Sequence, residues 1–331
     1  MSAAIQTTLP DLRSELIDWR ERLEATARDS SDSIEWNRLL REVGAAIERL
    51  SQKDSYGVCQ VCHEEIGAAT MKADPLARTC LSCLTPEQLS ELDDDLERAW
   101  LIQGELLPKQ NLRFNGWDVS YHYEPAGRVS GDYCDLVSAD TGDLYFLIGD
   151  VSGKGVAASL LMSRLHAIFR SLIEVGLGVS ELVERANHLF ADKTMSPYYA
   201  TLVCGKAASS GLVEICNAGH PAPLLLHGEG VTSIAATGLP VGMFCQESYT
   251  STQVKVGKGD RLLLYTDGLS EARNSYDDEY GERRLLSLLD TSHYLPANAL
   301  IQKVLDDVRK FSSGRPTSDD LTVMAIELVG H

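Results

Sequence analysis

The sequence has no uninterrupted apolar run approaching about 18 residues, so no membrane-spanning helix is expected. Its first residues, MSAAIQTTLPDLRSEL, lack a basic region ahead of an apolar core and predict no secretory leader. Positive charge is scarce: 30 Lys and Arg stand against 48 Asp and Glu, for a net charge of −18. Such a chain has no broad electrostatic footprint for nucleic-acid phosphates or anionic lipid, which argues against direct DNA binding and membrane association. Prolines number only 11, and no internal repeat or low-complexity segment is present. A cytoplasmic, globular protein is expected, and 331 residues suffice for two or three domains. In a reducing compartment the eight cysteines read as metal ligands or core residues rather than disulfides.

What is present begins with two amphipathic segments. Leu12, Leu16, Trp19 and Leu23 recur at helical spacing, as do Leu39, Leu40, Val43, Ile47 and Leu50. The Ser/Asp turn RDSSDS between them predicts an antiparallel helical hairpin. Next, Cys59-x2-Cys62 and Cys80-x2-Cys83 are separated by 17 residues. Two such knuckles can surround one Zn²⁺ tetrahedrally, and four sulfurs close the shell, which makes the expected role structural. His63 is then a neighbour, not a ligand. In TPEQLSELDDDLERAWLIQGELLPKQN, Thr85 is the expected N-cap, Pro86 the first helical residue and Glu87 a first-turn acid. Leu89, Leu92, Leu96, Ala99 and Ile102 form a near-heptad stripe, so this helical linker is a candidate coiled coil for a homodimer.

From about Asn115 the pattern turns to strands: WDVSYHY, DLYFLIGD, YATLVCGK, GLVEICNA, APLLLH, TQVKV, DRLLLYTD and DDLTVMAIEL. Helical stretches are expected over 156–175, 179–193, 282–289 and 298–311. Recurrent hairpin turns favour antiparallel sheets with helices outside. Four aspartate positions stand at or beside strand ends: Asp132, Asp150, Asp267 and the pair Asp319 and Asp320. Each alone is an ordinary turn residue. Together, with Ser130, Gly131, Gly149, Gly153 and Gly268 leaving room near the backbone, they suggest hard-oxygen ligands for Mg²⁺ or Mn²⁺. Carboxylates so close together cannot all stay ionised without cations. Two divalent ions about 3.5–4 Å apart would neutralise them and activate a water for attack on a phosphoester, with no covalent intermediate. The loop VSGKG is not a Walker A loop, because its glycines are too close and Gly155 stands where Ser or Thr would bind magnesium. Arg128, four residues before Asp132, would share its side of a strand and could clamp phosphate. Asp135 is a weaker acidic candidate, and His220 in NAGHPAP reads better as a core histidine bonded to a loop than as a general acid. Lys154 reads as a solvated loop charge. Cys134, Cys204, Cys216 and Cys245 read as buried packing residues.

Two resemblances follow from these motifs. Over about residues 8–90, YGVCQVCHEEIG, ADPLARTCLSC and the preceding hairpin resemble the DksA/TraR family of zinc-finger proteins. That likeness implies one structural Zn²⁺ and either RNA polymerase as a partner, contacted through an acidic tip, or a dimerisation or sensory module built on the same scaffold. Here the tip is Asp29, Asp32 and Ser33, with Ile34 in the place of the family's alanine. Over about residues 96–328, YEPAGRVSGDYCDL, GDVSGKGVAASLLMS, NAGHPAPLLL, GLPVG, LYTDGLSEA and SDDLTVMAIE resemble, in order, the SpoIIE/RsbU branch of PPM metal-dependent phosphatases. It implies an α+β fold: an αββα sandwich phosphatase domain behind an N-terminal helical hairpin plus zinc finger. It also implies two Mn²⁺ or Mg²⁺ ions. Carried over, Asp150 bridges them, the Val151 carbonyl helps hold one, and Asp132 and Asp267 complete the sites. Asp319 or its neighbour Asp320 supplies the last ligand. The usual substrate in this branch is a phosphorylated STAS-domain anti-anti-sigma factor in a partner-switching pathway. The expected domains are 8–85, a linker over 86–112, and 113–329. The rival reading is a polymerase-binding regulator whose phosphatase domain is sensory or inactive.

Overall fold

The computed structural model describes residues 16–21, 23–24, 33–51, 56–67, 70–71, 74–191, 198–228, 230–315 and 317–330. The chain divides into two compact units, Met1–Asp94 and Asp95–His331. The division falls inside the helix Pro86–Leu106 rather than at either of its ends.

In the first unit, residues 16–21 and 23–24 are helical and Ser33–Ser51 forms a second helix. Leu16 and Leu23 from one, Val43 and Ala46 from the other, bury against each other, as expected of two stripes with 3.6-residue periodicity. Asp29 and Asp32, at the expected acidic tip, lie outside the described residues. A separate small core of Tyr56, Cys59, Ile66 and Met71 carries the cysteine knuckles. The helix Pro86–Leu106 starts with a capping box: Gln88 N–H donates to Thr85 Oγ1 at 3.3 Å, and Thr85 N–H donates to Gln88 Oε1 at 3.0 Å.

The second unit is a four-layer sandwich. One antiparallel sheet runs β1 (Leu112–Phe114), β2 (Trp117–Glu124), β11 (Leu321–Leu328), β10 (Arg261–Tyr265), β7 (Leu224–His227) and β8 (Gly230–Ser233). The other runs β3 (Asp132–Ser138), β4 (Leu144–Val151), β5 (Ala200–Ala207), β6 (Leu212–Ala218) and β9 (Thr252–Lys255). Because strand side chains alternate, Phe146 and Ile148 of β4 face the other sheet, meeting Leu262, Leu264, Met324 and Ile326. Tyr145, Leu147 and Val151 face outward and are covered by the helices Val156–Ile173 and Val179–Ala191. The helices Glu282–Asp290 and Ala297–Phe311 cover the outer face of the first sheet. The αββα sandwich expected from the sequence is what forms. The short strands β1 and β8 escaped sequence reading because three or four half-exposed residues carry no clear alternation.

Among the described residues, only Val156–Ile173 is long and apolar enough to cross a membrane. Its apolar stripe of Ala158, Met162, Leu165, Phe169 and Ile173 is buried on the sheet, as in a core helix. The same helix is locked to β3 by charge. Asp135, fully buried, accepts from Arg170 Nε at 2.7 Å and Nη2 at 2.6 Å. This is a bidentate pair. Three residues from Asp132, Asp135 necessarily points to the opposite face of the strand, so it stands apart from the aspartate group. Cys134, Cys204 and Cys216 are buried in strands as expected, whereas Cys245 is exposed. Cys245 lies in the turn that follows Gly242.

Arg170→Met should destabilise the fold by about 2–3 kcal/mol, because the buried Asp135 charge loses its partner. That is less than for a fully enclosed pair, since 42% of the Arg170 side chain is exposed to solvent. Urea titration measures the loss, and adding Asp135→Leu to Arg170→Met should recover most of it.

Candidate active site

Antiparallel pairing places Asp132 directly opposite Asp150 at the matching ends of β3 and β4. Both lie on the even-numbered face that looks into the space between the sheets. The other sheet answers from two turns. Asp267 begins a single helical turn just beyond β10, and Asp319 and Asp320 immediately precede β11. Hydrogen bonds tie these turns together: Thr266 N–H donates to the Thr322 carbonyl at 3.0 Å, and Thr322 N–H donates to Thr266 Oγ1 at 2.9 Å.

The glycines have a different purpose from the open space expected of them. A Cβ on Gly268 would collide with the Asp320 carbonyl, and one on Gly149 would sit 2.6 Å from the Thr201 carbonyl. Both are glycine because backbones pass too closely there. Gly131 is the one that lies under the site. A Cβ there would meet the Val151 carbonyl at 3.1 Å and Asp150 Oδ1 at 3.4 Å.

The carboxylates carry the signature of crowded, desolvated acids. Asp132 is 1% exposed. Its Oδ2 accepts from Thr266 Oγ1 at 3.0 Å and from Thr322 Oγ1, while Oδ1 is buried with no hydrogen-bond partner. Burial, reinforced by Asp150 and Asp320, pushes its carboxyl well above the ordinary range. Asp150 is pushed up to about 7, by burial first and then by Asp267, Asp319 and Asp320. Burial and Asp319 also raise Asp267, partly offset by the Gly268 N–H.

The doublet divides its work. Asp320 spends both oxygens on backbone: Oδ1 accepts the Ala126 N–H at 2.7 Å and Oδ2 accepts the Gly131 N–H at 2.8 Å. Asp319 accepts the Asp320 N–H through Oδ1 at 3.0 Å, and its Oδ2 faces Lys154 Nζ at 2.8 Å. Lys154, expected as a solvated charge, is therefore an ion-pair partner, although its side chain is 63% exposed. Its ammonium also donates to the Ser318 carbonyl at 2.8 Å. Arg128 lies in the loop ahead of β3, not on a strand, so the argument from strand periodicity does not apply to it. The structure nonetheless puts it on the rim of a groove of about 380 Å³ with Lys154, Ser318 and Asp320.

His220 is 5% exposed, and burial drives its pKa down to about 3 despite the nearby Tyr265 backbone. Its Nδ1 pairs with Thr201 Oγ1 at 2.8 Å, and Asn217 brackets its backbone through bonds at 2.9 and 3.1 Å. It is a neutral core histidine holding a loop, as expected. One residue at this site escaped sequence reading. Gln103, outside the near-heptad stripe, bonds to Ser130, two residues from Asp132.

In the first unit the sulfurs of Cys59, Cys62, Cys80 and Cys83 converge. Among the described residues they are the one set whose ligand atoms all lie within 4.8 Å of one another. Backbone N–H donors, chiefly those of Cys62 and Cys80, draw the Cys59 thiol down to about 6. Neighbouring sulfurs, Cys80 foremost, push Cys83 up to about 12. One thiolate forms readily and the next resist, as sulfurs meant to share a cation should. No three of the aspartate carboxylates meet the same spacing.

A SpoIIE family model, stage II sporulation protein E, matches residues 140–329. The chain belongs to the SpoIIE family. Residues 54–88 match the prokaryotic DksA/TraR C4-type zinc finger. Over 265 residues the chain is 28% identical to Protein IcfG of Synechocystis sp., covering 70% of this chain and 41% of that protein. Over 240 residues it is 25% identical to Phosphoserine phosphatase RsbU of Bacillus subtilis, covering 71% of this chain and 70% of RsbU. The front of the chain is 24% identical over 90 residues to the RNA polymerase-binding transcription factor DksA of Haemophilus influenzae, covering 25% of this chain and 61% of DksA. Among solved structures, the SiaA-PP2C domain of Pseudomonas aeruginosa superposes with a TM-score of 0.64 at 18% identity, covering 72% of this chain and 97% of that domain. The shared fold is that of PP2C domains. The SpoIIE match begins beyond Asp132, so that strand enters the site on geometry rather than on the family match.

Two outcomes test the electrostatics. Without Mn²⁺ or Mg²⁺, the raised Asp150 carboxyl contributes stability that is fully present below its ordinary value of 3.8 and lost as pH rises through about 7. Thermal melts should therefore show added Mn²⁺ raising Tm more at pH 8 than at pH 5.5, because protons compete for the same oxygens. An equal shift at both pH values would contradict this. Separately, Cys80→Ser should abolish amide protection around Tyr56 and Ile66 in hydrogen exchange while leaving β4 and β5 protected.

Proposed function

We propose that the chain is a metal-dependent serine/threonine protein phosphatase acting on a phosphorylated STAS-domain partner, with the zinc-finger unit as its regulatory input. One observation supports this above the others: Asp132 Oδ1 is buried and unpartnered, in a carboxyl whose electrostatic neighbours include Asp150 and Asp320. An orphaned buried carboxylate oxygen costs several kcal/mol unless a cation or a proton meets it. Hard oxygens without nitrogen or sulfur neighbours select Mn²⁺ or Mg²⁺.

In this reading Asp150, Asp132 and Asp267 hold the ions together with the Val151 carbonyl and Asp319. Asp320 braces the loop instead of binding metal, because both its oxygens already serve Ala126 and Gly131. When bound, such a pair of ions supplies Lewis acidity and makes water nucleophilic near neutral pH. The remaining work falls to the chain's own groups. Arg128 and Lys154, on the groove beside the aspartates, receive the phosphate oxygens, and Lys154 exchanges its Asp319 partner for them. Thr266 and Thr322 hold Asp132 in one orientation, so little reorganisation is needed when charge moves. The STAS substrate is supported by likeness to RsbU and to nothing in the groove itself. Free cysteines throughout are consistent with work in the cytoplasm.

A second reading has its own support in the likeness of the front unit to DksA: contact with RNA polymerase, the phosphatase unit then sensing rather than turning over. Hydrolysis of p-nitrophenyl phosphate and of a phosphoserine STAS protein separates the two. Mn²⁺-dependent turnover should fall by about 10²–10³-fold or more in Asp150→Ala. Asp320→Asn should lose less than Asp319→Asn. Equal rates in wild type and Asp150→Ala, with polymerase co-purifying, would favour the second reading.

A further inference from the structure

The helix Pro86–Leu106 has one buried side chain, and it is a glutamine. A buried amide without partners is costly. Gln103 escapes that cost by pairing with the backbone of a single residue. Its Nε2 donates to the Ser130 carbonyl at 2.7 Å, and its Oε1 accepts the Ser130 N–H at 3.0 Å. A neighbouring strand would offer Ser130 the same pairing. Ser130 is itself fully buried, and its Oγ accepts the Asp132 N–H at 3.0 Å. The next residue, Gly131, is held from the far side by Asp320. The segment leading into β3 is thus fastened twice, once by a helix and once by the approach to β11. Both fastenings lie within two residues of the unpartnered Asp132 oxygen.

We infer that Gln103 is a positioning residue for the aspartate site: it fixes where Asp132 presents its free oxygen, so the register of its helix sets the site's affinity for divalent cations. The inference rests on the metal-site reading above. The amide is chemically specific for the task, because the Ser130 backbone needs an acceptor and a donor side by side. Leucine would fill the volume and satisfy neither group, and glutamate would set an acceptor against the Ser130 carbonyl.

The test uses the full chain with Gln103→Leu, and with Glu105→Ala on the exposed side of the same helix as control. Hydrogen exchange in metal-free buffer should show the Ser130 amide losing protection only in Gln103→Leu. Calorimetric titration with Mn²⁺ should show affinity weakened about 10- to 100-fold, the range for loss of a residue that orients a ligand. Hydrolysis of p-nitrophenyl phosphate should shift in its Mn²⁺ dependence and recover at saturating Mn²⁺. Wild-type Mn²⁺ affinity together with unchanged Ser130 exchange would overturn the inference and leave Gln103 as packing. If Gln103→Leu does not fold, Gln103→Glu decides by the same two measurements. Failure of the wild type to hydrolyse any phosphoester would sink the phosphatase reading, whereas exchange and Mn²⁺ titration would still judge the clamp.

Discussion

The structure of the second unit is organised around a repulsion. Asp132, Asp150 and Asp267 stand near one another and near Asp319, where burial and like charge raise the carboxyl pKa of all three. Such an arrangement opposes folding and needs a frame that stays put. The frame is the core between the sheets, where Phe146, Ile148, Leu264 and Met324 interlock. Around its edge donors meet the acids: two threonine hydroxyls on Asp132, two backbone N–H groups on Asp320, and the Lys154 ammonium on Asp319. One oxygen on Asp132 is left over.

The first unit meets a related problem with softer atoms. Four sulfurs stand close together on two knuckles, over a core too small to be stable by apolar burial alone. A set of four sulfurs suits a structural ion, while oxygen ligands suit an exchangeable one. The two groups differ as their proposed roles do.

Much of the architecture was legible in the sequence. The long helices and central strands carry strong periodicity, and the cysteine spacing announces its purpose. The aspartates could be picked out because each stands beside a strand end with small neighbours. Other assignments required coordinates. Gly149 and Gly268 read as room for ions, yet their missing side chains make way for passing backbone. Arg128 was placed on a strand that begins only at Asp132. Lys154 looked solvated because its partner lies more than 160 positions away. Nothing in the sequence singled out Gln103.

Alternation, capping and ligand spacing are local properties, and the chain's own residues determined them: the helix starts, the strand faces and the zinc knuckle. Contact between remote residues is not local. Which of two adjacent aspartates braces the loop, whether a lysine has a partner, and why a glutamine is buried were decided only when two sheets met. The reason is geometric, since each answer depends on what lies opposite, and the sequence orders residues along the chain without saying what faces them across it.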